Sequence, residues 1–252
     1  MAESRSMMPN HLAYRRWLPA LALCGISVLV CIWYVDRPAA EFFNSHVRPY
    51  PAWIWLNRLL AALVAIPLAG LLFQFGAGLW LLFGRRLASW TLTPLLYSSG
   101  IIWAIAAEFV FKQILGRGSP DPTYLANHLY GFRFLHAAGG WRSFPSGHAT
   151  IALAIATITC LRLPRWRVIV SILAGLACIG VTVTNGHWVS DVIAGIFLGA
   201  SIGWMTVAIS GSSQLTQDHS APCVLRTEPH AIESSSSVPA TATIRSDDRF
   251  IL

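Results

Sequence analysis

The sequence predicts an all-α polytopic membrane protein, a six-transmembrane-helix bundle with its reactive residues at helix ends on one membrane face. Two observations predict the bundle. Only 12% of the 252 residues are charged and 55% are hydrophobic, against roughly 25% charged for an ordinary soluble domain. Several apolar runs also approach the ~20 residues that a helix rising about 1.5 Å per residue needs to cross ~30 Å of hydrocarbon. A third observation, the clustering of polar residues at the ends of those runs, predicts where the chemistry sits.

The runs cover residues 17–34, 59–83, 92–111, 148–161, 168–184 and 191–209. The first is followed by Asp36, Arg37 and Pro38, a poor small-residue cleavage site, so it reads as a retained helix and not as a secretory signal. The fourth is the shortest. No linker or internal repeat interrupts the series, which makes residues 1–210 one transmembrane domain whose first and third loops are its long connections. From Gly211 the apolar runs stop and Ser, Thr and Pro accumulate, including serines at 234–237. Such a composition cannot bury a core, and residues 211–252 read as a disordered cytoplasmic tail.

Arg5, Arg15 and Arg16 precede the first helix, Arg85 and Arg86 lie in the second loop, and Arg162, Arg165 and Arg167 in the fourth. Basic residues favour the cytoplasmic side, which puts both termini in the cytoplasm. Arg37, Arg48 and Arg58 fall in the first loop and oppose that bias. The net charge of +7 comes without a basic block interleaved with aromatics, so a nucleic-acid partner is not expected. The five cysteines include no CxxC pair, and neither a zinc site nor a disulfide framework is indicated. The seventeen arginines set against one lysine suggest a GC-rich genome, and the compact form suits a bacterial inner membrane.

Residues 112–144 form a connection far longer than the usual ~4 to 6 residues. Tyr124, Tyr130, Phe132, Phe134, Trp141 and Phe144 in it suit a segment lying at the membrane interface and covering a site. Three clusters flank it or follow it: Lys112 to Pro120 (KQILGRGSP), Phe144 to His148 (FPSGH), and His187 to Asp191 (HWVSD). Because a chain changes sides with each crossing, the end of the third run, the start of the fourth and the junction of the fifth and sixth share one face.

Each cluster has a plain reading beside a chemical one. Lys112 is the only lysine; at a helix end it can snorkel to headgroups or hold a phosphate as a point charge, and Glu108 one turn earlier suits a structural pair with it. Ser146 and Gly147 stand at a helix start, which is either ordinary capping or an anion site made of free backbone N–H groups, with His148 beside it. His187 and Asp191 are four apart, so a helix reaching back to His187 would let the carboxylate hold the imidazole; otherwise Asp191 or Ser190 caps the sixth helix.

Taken together the clusters resemble the three signature motifs of the type 2 phosphatidic acid phosphatase superfamily, in the family's order. The match runs from Lys112 to Asp191, and Pro145 to His148 (PSGH) is its most specific part. Two positions depart from the family pattern: Ser119 stands where an arginine precedes the proline, and Val181 where an arginine lies six residues before the nucleophile. The resemblance implies a lipid phosphatase in which His187 attacks phosphorus, His148 protonates the leaving group, and Asp191 orients His187. It further implies that Lys112, Arg117, Ser146 and Gly147 hold the phosphate, with no metal and no cofactor. Arg133, Arg142 and Asn185 are candidate substitutes for the missing arginines, and His136 is a further loop residue within possible reach.

The expected partners are a membrane and a lipid phosphate of the phosphatidic acid, phosphatidylglycerol phosphate or isoprenyl diphosphate class, met at an extracytoplasmic site. Sequence leaves open transfer of the phosphoryl group to another acceptor, and a weakly active lipid-binding protein.

Overall fold

The computed structural model describes residues 11–63 and 65–219. Its helices are α1 (His11–Val30), α2 (Asp36–His46), α3 (Pro51–Ala62), α4 (Ala65–Leu82), α5 (Leu92–Leu115), α6 (Leu125–Asn127), α7 (Gly147–Arg162), α8 (Arg167–Val183) and α9 (Val189–His219). Five helical segments are long and apolar enough to cross a membrane: Trp17–His46, Pro51–Leu82, Leu92–Leu115, Pro164–Val183 and Val189–Ser210. The sixth expected crossing corresponds to the shorter apolar helix Gly147–Arg162. Among the described residues there is no strand, only an isolated bridge between Arg117 and Phe132.

The first long loop expected from the sequence is mostly helix. A π-helical turn at Cys31–Val35 joins α1 to α2, and α3 begins at Pro51, with a proline at the start of the helix, where its missing N–H removes no intrahelical bond. Asp36, Arg37, Glu41 and Asn44 lower the hydropathy of α2, but the helix carries them because Asp36 is buried against Arg117 while Arg37 and Glu41 meet Tyr130 and Tyr124 of the long loop. The backbone of α9 continues to His219, past the tail boundary expected at Gly211. Residues 220–252, most of that expected tail, lie outside the described residues, as does Arg5.

The centre of the bundle is the pairing of α7 with α9. Gly195, Gly199 and Gly203 line one side of α9, and a Cβ on any of them would strike the carbonyl oxygens of Ser146, Thr150 and Ala154 respectively. Backbone contact of this kind is how small residues let membrane helices associate where lipid tails leave no hydrophobic driving force between them. It also fixes the start of α7 against the start of α9, where Ser146 N–H donates to the Asp191 carbonyl at 3.1 Å. Around this pair stand α5, α8 and α1; Trp17 at the start of the first span donates its indole N–H to Ser201 Oγ at 3.2 Å.

Helix α5 stops at Gly116, whose left-handed backbone (φ +49°) closes the last turn on the Lys112 carbonyl. A side chain there would strike the carbonyls of Arg133 and His136, because the long loop folds back across it. Arg133 N–H donates to the Gly116 carbonyl at 2.8 Å, Gly118 N–H to Gly131 at 3.1 Å, and Ser143 N–H to Arg117 at 3.0 Å. These ladders turn residues 116–146 into a cap over one end of the bundle and deliver Ser143 to the α8–α9 junction.

Candidate active site

Three helix ends meet under this cap. Glu108 and Lys112 come from the last turns of α5, Gly147 and His148 from the first turn of α7, and His187 from the turn between α8 and α9; together they form the polar end of a cavity of about 290 Å³. The remainder of its wall is apolar: Leu63 just after α3, Ile66 and Pro67 from α4, Ile151 and Ile155 from α7, and Ala177 from α8.

Helix α9 begins at Val189, so His187 precedes it and the expected pairing with Asp191 along one helix face does not form. A turn replaces it. Thr184 ends α8, Asn185 takes a left-handed backbone (φ +58°), and the N–H groups of Gly186 and His187 both donate to the Val181 carbonyl at 3.0 and 3.2 Å. His187 Nδ1 then donates to the Ser143 carbonyl at 2.9 Å, which assigns the proton to Nδ1 and leaves Nε2 with its lone pair. Asp191 Oδ2 lies 3.7 Å from Nδ1, beyond hydrogen-bond length. Ser143 closes the gap, its Oγ donating to Asp191 Oδ2 at 2.5 Å and lying 3.4 Å from His187 Nδ1. Asp191 also accepts the Trp188 backbone N–H at 3.1 Å, so its capping role at the start of α9 and its approach to His187 coexist. Ser143 carries no signal in the sequence; the fold brings it to His187 through its backbone N–H bond to the Arg117 carbonyl.

His148 faces His187 with ring centroids 6.5 Å apart. Its Nε2 donates to the Leu60 carbonyl at 3.2 Å, which fixes the ring and leaves Nδ1 for proton transfer. Ser146 caps α7 and is fully buried. Lys112 and Glu108 form the ion pair expected from their spacing, and the Glu108 carboxylate packs so closely on Gly147 that a Cβ at that position would overlap it. An anion therefore already stands beside the free end of α7, where the helix dipole favours one.

Arg117, expected on the phosphate, is elsewhere. Its guanidinium is fully buried and boxed by the rings of Phe132, Trp188 and Tyr130 at 5.1, 5.5 and 5.7 Å. One terminal nitrogen donates to Asp191 and, at 2.6 Å, to Ser190 Oγ; the other donates to Asp36 Oδ2 at 2.6 Å and the Tyr130 hydroxyl at 3.2 Å. Burial alone would pull its pKa down, but Asp191 and Asp36 outweigh that and hold the guanidinium above its ordinary range.

The proposed substitutes are also engaged. Asn185 is buried and its side-chain amide donates to the Ala40 carbonyl at 3.1 Å. Arg133 lies over the Trp141 ring at 4.2 Å and Arg142 over Phe109 at 5.9 Å, both exposed; His136 is exposed as well. At the departing positions, Ser119 Oγ bonds within its own turn to the Asp121 carbonyl at 3.0 Å, and Val181 packs with Leu60, Ala149, Cys178 and Val192. Among the described residues no three His, Cys, Asp or Glu side chains come together to hold a metal ion.

Residues 91–214 match the family model described as the PAP2 superfamily. This part of the chain is a PAP2 domain. It contains α5, α7, α8 and most of α9 with the capping loop, and all three clusters read from the sequence. Similar proteins include a lipid A 1-phosphatase from Rhizobium johnstonii, 36% identical over 108 residues that make up 40% of this chain and 41% of the relative. An undecaprenyl-diphosphatase from Sulfolobus acidocaldarius is 30% identical over 116 residues, 46% of this chain and 52% of the relative. The chain thus spans between about two fifths and about half of the length of these relatives. A crystal structure of a transmembrane PAP2 type phosphatidylglycerolphosphate phosphatase from Bacillus subtilis superposes with a TM-score of 0.42 at 17% identity, covering 76% of this chain and 96% of that one. With its PAP2 domain built from long apolar helices, the chain is an integral membrane protein.

Proposed function

We propose that this protein is a lipid phosphatase that removes a phosphate from a lipid phosphomonoester or diphosphate through a phosphohistidine on His187. The observation that carries the reading is the pair of facing imidazoles at the polar end of a cavity whose other walls are apolar. The apolar part suits the first carbons of a lipid chain and the polar part its phosphate, an arrangement a soluble ester would not require.

In the proposed reaction the Nε2 lone pair of His187 attacks phosphorus and the bond from phosphorus to the leaving oxygen breaks. His148 gives that oxygen a proton, so a monoester leaves as the lipid alcohol and a diphosphate as the lipid monophosphate. His148 then takes a proton from water as it attacks the phosphohistidine, releasing inorganic phosphate. A 6.5 Å separation of the rings leaves room for one phosphoryl group between them. The Nδ1–H bond to Ser143, and through it the Asp191 carboxylate, supports the imidazole as it becomes cationic. Lys112 and the first amides of α7 are the groups left to hold the nonbridging oxygens.

The site end is proposed to face away from the cytoplasm of a bacterial inner membrane, because Arg85, Arg86, Arg162, Arg165 and Arg167 lie at the opposite ends of α4, α7 and α8 and basic loops favour the cytoplasmic side. The reading is tested by phosphate release in detergent from lipid A 1-phosphate, undecaprenyl diphosphate, phosphatidic acid and phosphatidylglycerol phosphate, with EDTA present throughout. Release from at least one is expected, and silence on all four overturns it.

The position of Glu108 adds a prediction. A bound phosphate dianion would share Lys112 with the Glu108 carboxylate and be repelled by it. Removing one such repulsion at the moderate effective dielectric of a partly buried cavity wall corresponds to about a 3- to 10-fold change in binding. Steady-state assay of Glu108→Gln is therefore expected to show KM lowered by that factor with little change in kcat.

A further inference from the structure

Asp36 belongs to none of the three clusters and lies outside the matched segment 91–214, yet it is bonded to Arg117 and Ser190 directly behind Asp191. Its side chain is fully buried. Oδ2 accepts from Arg117 at 2.6 Å and from the Ser190 hydroxyl, and Oδ1 accepts the Ser190 backbone N–H at 3.0 Å. The π-helical turn at Cys31–Val35 ends at Asp36, whose own N–H closes it on the Cys31 carbonyl; such turns inside α-helical segments are frequent at functional sites. Tyr130 ties the turn to the cap, its hydroxyl donating to the Ile32 carbonyl at 2.7 Å.

One guanidinium is thereby shared by two buried carboxylates, Asp36 and Asp191. With Asp36 absent, the whole Arg117 charge would fall on Asp191 and neutralise the group that supports His187. We propose that Asp36 is a positioning residue for His187: it takes up part of the Arg117 charge and so keeps Asp191 an effective anion toward Ser143 and the imidazole. This rests on His187 being the nucleophile of the reaction proposed above.

The test compares wild type, Asp36→Asn and Asp36→Asn/Arg117→Gln in detergent, on the lipid released fastest, with kcat and KM measured separately. The reaction of His187 with diethylpyrocarbonate at pH 8, followed by mass spectrometry, reports imidazole nucleophilicity without turnover. Carboxylates that orient a histidine from behind contribute about 10 to 100-fold where the histidine holds a metal, and the same scale is expected for one that orients a nucleophile. Asp36→Asn is expected to lower kcat by that amount with KM little changed, and to slow labelling. The double variant leaves no surplus cation beside Asp191 and is expected to recover most of both when measured well below its unfolding midpoint, which falls because the buried Asp191 carboxylate loses its ion-pair partner. Wild-type kcat and labelling in Asp36→Asn, or a double variant as impaired as the single one, would overturn the proposal. If Asp36→Asn does not yield monodisperse protein, the double variant decides alone: kcat within about tenfold of wild type supports the role, and any larger loss refutes it. A wild type that releases no phosphate would remove the phosphatase reading, while the labelling rates would still decide the role of Asp36.

Discussion

Replacing His187 by Ala is expected to lower phosphate release by ~10⁴-fold or more, because a covalent mechanism loses its first bond-forming step and retains only binding and electrostatic stabilisation. His148→Ala should behave differently, and the difference is diagnostic. A general acid contributes about 10² to 10⁴-fold when the leaving group needs a proton. With a lipid alcohol as leaving group, His148→Ala is therefore expected to be nearly as inactive as His187→Ala. An aryl phosphate such as p-nitrophenyl phosphate leaves as a stabilised phenolate, so the first step survives without the acid. The second step does not, since water must still lose a proton as it attacks. Rapid-quench assay of His148→Ala is expected to show one burst of nitrophenol per site and an acid-labile phosphate on His187 that mass spectrometry can locate. A variant that turns over the aryl ester without accumulating that species would show that His148 is not the base. Label on a residue other than His187 would assign the nucleophile elsewhere.

The sequence carried the transmembrane helices where hydropathy is a sufficient signal. The runs at 92–111, 168–184 and 191–209 correspond to α5, α8 and the membrane part of α9, because a lipid-exposed helix has to be apolar along its length. The same signal failed at α2, where Asp36, Arg37 and Glu41 made a helix look like a loop. Asp36 was lost for that reason: a charge that breaks an apolar run is read as exposed, whereas this one is buried against a cation from a segment 81 positions away. The glycines at 195, 199 and 203 set the contact between α7 and α9, and only their spacing hints at it. The three clusters were legible because chemistry fixes residue type and order together. Their partners were not: Arg117 has the composition of a phosphate ligand, and only the fold places its side chain behind Asp191 and out of the cavity.

That placement leads to the second large expected effect. Arg117→Ala leaves Asp36 and Asp191 buried in one polar pocket with Ser190 between them and no cation. Removing one partner of a buried ion pair commonly destabilises by about 3 to 5 kcal/mol, since the remaining charge stays desolvated. For a chain of this size that corresponds to a fall on the order of 10 °C in the unfolding midpoint, measurable in detergent by the loss of monodisperse protein on heating. Arg117→Lys should fall between wild type and Arg117→Ala, because a single ammonium cannot present the two parallel donors that a guanidinium offers to separate carboxylates. Lys112→Ala gives the contrast. Its side chain borders the cavity and its pair with Glu108 is partly solvated, unlike the fully buried Arg117 pairs, so its loss should reduce catalysis and lower the unfolding midpoint by less than Arg117→Ala does. If Arg117→Ala instead kept wild-type stability and raised KM, the guanidinium would belong on the substrate phosphate, and Asp191 would have to be held by Ser143 and the Trp188 amide alone.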